Sequence, residues 1–397
     1  FVKIDEKKIV LNLNVNISSN FIDQEFPKIA NTIEVNLLEN KDNFTENEWN
    51  NFETYLKRVW FSNGIHHHYS NDKIMPDFSA KYLTEYLTEL LVESGATLEG
   101  EAFEVIFNEK DSKKVNLSKD SDIVLESAIN FYGPDVTTQD VEDFYGAVSV
   151  DADEPIEIGL NTRLIKNNGI LTEQVYRSGG LYGPAIDRII FWLEKAVTVA
   201  ENFAQAQALE LLIAYYKTGD LHIWDDYAVA WVQATEGNID WINGFIEVYN
   251  DPKGYKGSFE TIVQIKDFDM SKKMSVLSEE AQWFEDNSPL MPEHKKKEVK
   301  GVSYKTVVVA GESGDASPST PIGVNLPNNN WIRQAHGSKS VSLGNIINSY
   351  NNIFWILGGL PKKGDKIRLS NYLLLQLSDL YLLINERHGC LCIRHHL

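Results

Sequence analysis

Cysteine is almost absent from this sequence. The two cysteines, Cys390 and Cys392, stand within the last 8 residues of a chain of 397, so a disulfide framework is excluded for the body of the protein. Long apolar runs are missing too, since no stretch reaches the roughly 18 residues that suggest a membrane span. Positive charge is scarce, because 37 Lys and Arg face 57 Asp and Glu and the net charge is −20. Such a chain would repel a phosphate backbone, and we expect no nucleic-acid partner.

The remaining composition is that of a protein with a large core. Hydrophobic residues make up 43% of the chain and charged residues 24%, which is ordinary for a globular protein. The length suggests two or three domains, or one large enzyme of two lobes. The acidic balance favours cationic ligands, including the free amino end of a peptide, although solubility alone is a simpler reason for it.

The hydrophobic pattern predicts an α+β fold in which helices dominate. Apolar residues recur at helical spacing in several stretches, and Pro184 stands where a first helical turn would begin. Short β-branched stretches bounded by Gly, Pro and Ser are typical of strands. We predict helices over residues 46–60, 76–95, 138–144, 183–217, 222–235 and 238–249, and strands over 307–310 and 322–326.

Four sequence blocks, in a fixed order, carry a resemblance. They are residues 60–69 (WFSNGIHHHY), 160–164 (LNTRL), 244–252 (GFIEVYNDP) and 321–328 (PIGVNLPN). On these blocks, and over residues 48–352 as a whole, the chain resembles the dipeptidyl peptidase III family of zinc metallopeptidases. The first block is similar to the family's bacterial branch.

The resemblance implies roles for five residues. Glu247 would bind the substrate's free ammonium group, and Tyr249 would lie near the scissile bond. Asn325 and Asn328 would bind the amino-terminal dipeptide of the substrate. Glu260 matches a further acidic position of the family's cleft. An oligopeptide is therefore the expected partner.

The chemistry of Glu247 and Tyr249 fits these roles. A carboxylate is the natural partner of an ammonium group, and a tyrosine hydroxyl can donate to a carbonyl or an oxyanion. The two side chains share a face only if the segment is extended. Alternatively, both residues end a surface helix and Tyr249 packs on Trp241.

Amide and acidic groups elsewhere in the blocks also leave two readings open. The amides of Asn325 and Asn328 donate and accept as a peptide group does, and Pro327 favours an extended Leu326, so a substrate could lie there as an added strand. The alternative for the asparagines is turn chemistry. Glu260 could equally stand at the start of a helix.

The resemblance implies zinc as the family's cofactor, held by a His-Glu-x-x-Gly-His helix and a later acidic helix. The glutamate of the first motif would act as general base. None of the 9 histidines of this chain begins that motif, so we expect no metal in the chain as given. A site at residues 66–68 (HHH) is disfavoured, because neighbouring strand residues point to opposite faces. A Cys/His cluster near residues 388–395 is disfavoured by its tight spacing.

The resemblance implies a two-lobed enzyme in which one lobe contains a small β-barrel and holds the substrate. On that pattern residues 1–267 and 309–352 build the substrate lobe, and residues 268–308 enter the helical zinc lobe. Residues 353–397 depart from the family, and we expect a frameshift near residue 352 that leaves the zinc lobe largely missing.

Two functions follow from this reading. The first is a zinc-dependent dipeptidyl peptidase that releases dipeptides from the amino ends of oligopeptides, here a fragment expected to be inactive. The second is a non-catalytic peptide-binding protein that keeps the substrate half of the cleft. The resemblance implies a cytoplasmic location. An exported lipoprotein stays open as an alternative, because the chain starts at Phe1 and not at Met.

Overall fold

The computed structural model describes part of the chain. The described residues are 9–11, 33–35, 46–83, 105–109, 112–299, 302–316 and 321–348. The chain divides into two compact units, residues 1–343 and 344–397. In the second unit only residues 344–348 are described, and they are helical. The elements and the candidate site below belong to the first unit.

Two sequence-based expectations fall largely on the rest of the chain. The helix predicted over 76–95 is helical at residues 80–83, and its remainder lies outside the described residues. The tail 353–397, with its cysteines and its expected frameshift, also lies outside them. The lobe boundaries and the barrel remain predictions.

The first unit combines helices and strands, as the α+β prediction requires. The helices are α1 (Glu46–Phe61), α2 (Thr138–Gly146), α3 (Gly183–Val197), α4 (Phe203–Thr218), α5 (Leu221–Gln233), α6 (Phe268–Glu279), α7 (Ala281–Asp286) and α8 (Asn330–Ala335). The strands are β1 (Ile9–Leu11), β2 (Ile33–Val35), β3 (Thr162–Asn167), β4 (Ile170–Val175), β5 (Ile239–Glu247), β6 (Ser258–Lys266), β7 (Val302–Gly314), β8 (Gly323–Leu326) and β9 (Ser338–Leu343). In the described part of the chain no helix is long and apolar enough to cross a membrane.

Helices α3, α4 and α5 form a layer, and capping residues in the sequence mark where α4 ends and where α4 and α5 begin. The predicted stretch 183–217 divides into α3 and α4, and Asn202 caps α4 by accepting a hydrogen bond from the Gln205 backbone N–H. Gly219 adopts a left-handed conformation (φ 74°) that ends α4. Asp220 then caps α5. The predicted cap at Thr137 is confirmed, since it forms a capping box with Asp140 at the start of α2.

The main sheet has five strands in the order β5-β6-β7-β9-β8. Neighbouring strands are antiparallel except for the parallel pair β7 and β9. Its apolar face packs on the helical layer through a core that includes Leu212, Trp224, Ile242 and Ile262. The predicted strand 307–310 lies within β7, and the predicted strand 322–326 corresponds to β8, which places the block at residues 321–328 on this sheet.

The helix predicted over residues 238–249 is wrong, because the segment forms strand β5. Ile242 and Phe245 are buried in the core, while Trp241 and Ile246 also pack against it. A strand that is covered on both faces loses its alternating pattern, so its apolar pairs imitate a helix. The correction puts Glu247 at the end of a strand, and it removes the alternative in which a surface helix ends at Tyr249.

Gly314 closes β7 in a conformation that suits only glycine. Its φ is 71°, and an added Cβ would collide with the carbonyl oxygen of Phe259. We expect Gly314→Ala to lower the free energy of unfolding by about 2 kcal/mol or more, measured by urea denaturation. Gly311→Ala is the matched control in the same strand, because nothing lies within 4 Å of its added Cβ. Equal urea midpoints for the two variants would contradict the prediction.

Candidate functional site

Strand β5 ends in an irregularity that sets the position of Glu247. Gly244 pairs with Glu260 and Phe245 with Phe259, but the register then shifts, and Glu247 pairs with Ser258. A bulge of this kind bends the strand and redirects the following side chains. The chain turns directly after it, so Glu247 stands where the sheet stops.

The Glu247 carboxylate is partly buried and held by two polar groups. The Asn328 side-chain N–H donates to Glu247 Oε2 at 3.3 Å, and the Tyr249 hydroxyl is hydrogen-bonded to the same carboxylate. Burial raises the pKa of Glu247, and these two hydrogen bonds offset part of the rise. Three of the predicted site residues therefore come together in the structure.

Glu260 lies deeper, in the neighbouring strand β6. Its side chain is 6% exposed, and it stands between Gly244 of β5 and Gly314 of β7. Burial, and then the negative charges of Glu247 and Asp315, raise the pKa of Glu260 to about 8. The alternative in which Glu260 begins a helix is wrong, because β6 starts two residues earlier.

Asp315 is a third acidic residue of this cluster and was missed from the sequence. Its backbone N–H donates to the Phe259 carbonyl at 2.9 Å. Its carboxylate accepts from the Asn250 side chain at 3.0 Å, and Asn250 also donates to the Ser258 hydroxyl. The only sequence signal was an aspartate directly after a glycine that ends a strand. We call Glu247, Glu260 and Asp315 the acidic cluster.

The turn between β5 and β6, residues 248–257, is anchored by Asp251. Its carboxylate accepts hydrogen bonds from the Tyr132 hydroxyl at 2.8 and 2.9 Å. It also accepts from the backbone N–H groups of residues 253, 255 and 256 at 2.7–3.0 Å. These bonds close the turn, and they hold Tyr249 beside Glu247 with half of its side chain (51%) exposed to solvent.

The buried Lys256 ammonium fixes the other end of this turn. The side chain is 0% exposed, and its Nζ donates to the Thr162 hydroxyl at 2.7 Å and to Tyr145. The Gly257 N–H donates to the Leu160 carbonyl at 2.8 Å. The block at residues 160–164 thus stabilises the turn through these hydrogen bonds and is not part of the acidic cluster.

The asparagines of the fourth block divide between two roles. Asn328 contacts Glu247, as described above, whereas Asn325 is exposed on β8 and accepts from the Ser340 hydroxyl at 3.2 Å. Asn329 caps helix α8 and donates to the Pro155 carbonyl. The Leu326-Pro327 peptide bond is cis.

The first block reaches the same end of the sheet. The Asn63 side chain donates to the Gly314 carbonyl at 3.0 Å. Residues 66–68 do not form a regular strand, because an isolated bridge at His66 is followed by a turn. His67 and His68 stack with ring centroids 4.7 Å apart. His336 packs its ring edge against Trp331.

The zinc that the resemblance implies would need a group of His, Cys, Asp or Glu side chains to bind it. Among the described residues no group of three or more His, Cys, Asp or Glu side chains is arranged to hold a metal ion. The acidic cluster is tied to strand backbones and amide donors and does not form such a group. The described residues therefore do not fit a zinc site.

Comparison with known proteins identifies the family. The profile described as peptidase family M49 matches residues 147–356, just over half of the chain. Dipeptidyl peptidase 3 from Rattus norvegicus is 31% identical over 168 residues, which are 42% of this chain and 22% of the rat protein. Dipeptidyl peptidase 3 from Dictyostelium discoideum is 23% identical over 323 residues, which cover 76% of this chain and 45% of that protein.

A solved structure shares the fold. The structure of DPP III from Caldithrix abyssi aligns with a TM-score of 0.50 and 20% identity, covering 79% of this chain and 57% of the other. This chain belongs to peptidase family M49, a family of zinc-dependent metallopeptidases. The matches to these two curated relatives span less than half of the relatives' own length.

The raised pKa of Glu260 predicts that the free energy of unfolding depends on pH. Its pKa of about 8 in the folded state lies above the value of about 4.3 for an unfolded glutamate. The folded protein therefore binds this proton more tightly, and its stability falls as the pH rises from about 4.5 to 8. We expect Glu260→Gln to gain stability relative to the parent over this range, on the order of 3 kcal/mol at pH 8.5.

Urea denaturation at pH 5, 7 and 8.5 checks this prediction. Exposed Glu279→Gln controls for the general effect of removing one carboxylate from an acidic chain. A difference between Glu260→Gln and the parent that stays constant from pH 5 to 8.5 would show that Glu260 is not destabilised by its neighbours.

Proposed function

We propose that this chain binds the free amino end of an oligopeptide at Glu247, in the manner of a dipeptidyl peptidase. The observation that carries the proposal is a partly buried carboxylate at the end of a strand, backed by two further carboxylates. An ammonium group placed there would be attracted by Glu247 and Asp315, and it would favour the ionised form of Glu260, whose pKa of about 8 leaves it mostly protonated at pH 7. A charged hydrogen bond in such a site is stronger than one in water.

The Asn328 amide orients the Glu247 carboxylate. It donates to Oε2 of Glu247, the Tyr249 hydroxyl takes a second acceptor site, and the incoming ammonium would use the others. The amide has further donor and acceptor capacity for the backbone of the first substrate residues. Glu247 thus supplies charge and Asn328 supplies orientation.

Strand β8 offers a place for the substrate backbone. It is the last strand in the sheet order, with β9 on one side. An extended peptide can add to such an edge through main-chain hydrogen bonds. Asn325 is exposed on this strand, and Asn328 follows directly after it. A peptide lying along β8 would bring its amino end to Glu247.

Tyr249 would stand over the bond to be cleaved. Burial and the charge of Glu247 raise the pKa of its hydroxyl above the ordinary range, so the group stays protonated at neutral pH. Its one proton is donated to the Glu247 carboxylate, and it would turn to a substrate carbonyl when an ammonium group occupies that carboxylate. The hydrolytic step of the family requires zinc. The zinc motif is not found in these 397 residues, so we propose that the chain alone binds peptides without cleaving them.

Removal of the Glu247 charge tests the amino-end site. We expect Glu247→Gln to weaken the binding of penta-alanine by about tenfold or more in titration calorimetry at pH 7, since one charged partner of a desolvated pair is lost. N-acetylated penta-alanine should bind the parent and the variant equally weakly.

The control for this measurement is Glu210→Gln, which removes an exposed carboxylate from helix α4. It should bind penta-alanine as the parent does. If acetylation of the peptide has no effect on its affinity for the parent, the amino end is not recognised and the proposal fails.

A separate measurement distinguishes binding from catalysis. We expect the purified 397-residue chain to release no arylamine from a dipeptidyl-arylamide, with or without added zinc. Tyr249→Phe should then alter peptide affinity by less than about threefold, because the lost hydroxyl donates a neutral hydrogen bond at a half-exposed position. Chelator-sensitive release of arylamine by this chain would refute the non-catalytic proposal and leave the binding proposal intact.

A further inference from the structure

An open cavity lies beside the first sequence block. Helix α1 and residues 62–75 line this cavity, whose volume is about 770 Å³. Its charged lining side chains come mainly from one turn of α1 and from the turn after His66. The lining residues are Thr54, Lys57, Arg58, Ser62, His67, His68, Ser70, Asp72, Lys73, Ile74 and Met75.

The lining of this cavity is opposite in charge to the protein as a whole. It contains Lys57, Arg58 and Lys73 against the single acid Asp72, in a chain of net charge −20. The Asp72 carboxylate is already paired with Lys113. With Glu53 and Asp77, the partners of Lys57 and Arg58, also counted, the excess is one positive charge, and Lys73 already donates its ammonium to Asn108.

Two of these cations form pairs with carboxylates at the surface. Lys57 contacts Glu53 at 2.9 Å and Arg58 contacts Asp77 at 3.6 Å, with all four side chains at least 41% exposed. Pairs of this kind contribute little to stability. A carboxylate that enters the cavity can therefore share or take over these donors at small cost.

The stacked histidines add hydrogen-bonding groups to the cavity. His67 Nδ1 accepts from the backbone N–H groups of Tyr69 and Ser70, both at 3.2 Å, which leaves its ring proton on Nε2. Burial and the neighbouring His67 and Lys114 lower the pKa of His68. His68 is therefore neutral at pH 7 and contributes hydrogen bonds and not charge.

The cavity lies close to the acidic cluster. Ser62 lines it, and the next residue, Asn63, donates to the Gly314 carbonyl at 3.0 Å. Gly314 is the strand partner of Glu260. Strand partners stand about 5 Å apart and successive Cα atoms 3.8 Å apart, so the rim of the cavity is within about 20 Å of Glu260.

We propose that this cavity, which we call the basic cavity, receives the carboxylate end of the oligopeptide whose amino end is held at Glu247. The proposal rests on the proposed function and extends it to the other end of the substrate. An extended peptide advances about 3.3 Å per residue, so a peptide of about five or six residues covers the distance of at most about 20 Å between the cavity rim and Glu260. The opposite charges of the sites fix the direction in which the peptide lies.

Titration calorimetry with three forms of one peptide tests this proposal on the full 397-residue chain. The probes are penta-alanine with free ends, penta-alanine amide and N-acetyl penta-alanine. We expect the amide to bind the parent about three- to tenfold more weakly than the free acid at low salt. The difference should shrink as salt is added, since the cations are solvent-accessible.

The variant Lys57→Gln/Arg58→Gln removes the two exposed cations of the basic cavity. For this variant the free acid and the amide should bind equally well. Lys217→Gln is the matched control, because Lys217 is a half-exposed lysine paired with Glu194 at 3.0 Å outside the cavity. The control should keep the preference of the parent for the free acid.

The outcomes separate this inference from the proposed function. If N-acetylation weakens binding and amidation does not, the basic cavity does not read the carboxylate, and only this inference falls. If the double variant keeps the full preference for the free acid, the inference also falls. If none of the three peptides binds the parent, the proposed function fails and this inference fails with it.

Discussion

The register of strands β5, β6 and β7 brings carboxyl groups together at one end of the sheet. Backbone pairing places Gly244, Glu260 and Gly314 side by side, and the bulge before Glu247 and the end of β7 before Asp315 bring in two more carboxylates. The protein tolerates this arrangement because β-sheet hydrogen bonds and core packing hold the backbone. An acidic cluster held in this way attracts cations. The proposed binding of a peptide's amino end depends on that attraction.

The hydrogen bonds that anchor turn 248–257 keep the turn closed against the electrostatic repulsion within the acidic cluster. Asp251 accepts hydrogen bonds from Tyr132 and from several turn N–H groups, and Lys256 is buried against Thr162 and Tyr145. Burial lowers the pKa of Lys256 to about 8, while Glu173 and Asp251 favour its charged form. The turn thus has its own charge pairing on the side away from the acidic cluster. Tyr249 stays in place because its neighbours on the turn are fixed.

The sequence predicted the elements with strong local signals and failed where tertiary burial decides. The cap at Thr137, Pro184 at the start of α3 and the β-branched centre of β7 are local features, and each prediction held. Strand β5 was misread because both of its faces are covered, which erases the period of two. Glu247, Tyr249 and Asn328 were found through the resemblance, and the structure joins them. No sequence pattern marks Asp315, because only the pairing of β6 with β7 brings it close to Glu260 and Glu247.

The two charged sites together favour one class of ligand over others that the acidic cluster alone would admit. A metal cation or an isolated amine would satisfy Glu247 and its neighbours equally well, but neither would use the basic cavity. On the proposed function a zwitterionic peptide would use both. Because the net charge of −20 repels anions at long range, a carboxylate reaches the basic cavity most readily when it is tethered to an ammonium group already held at Glu247. The amino end would therefore bind first, and the effective concentration that it creates would bring in the carboxylate end.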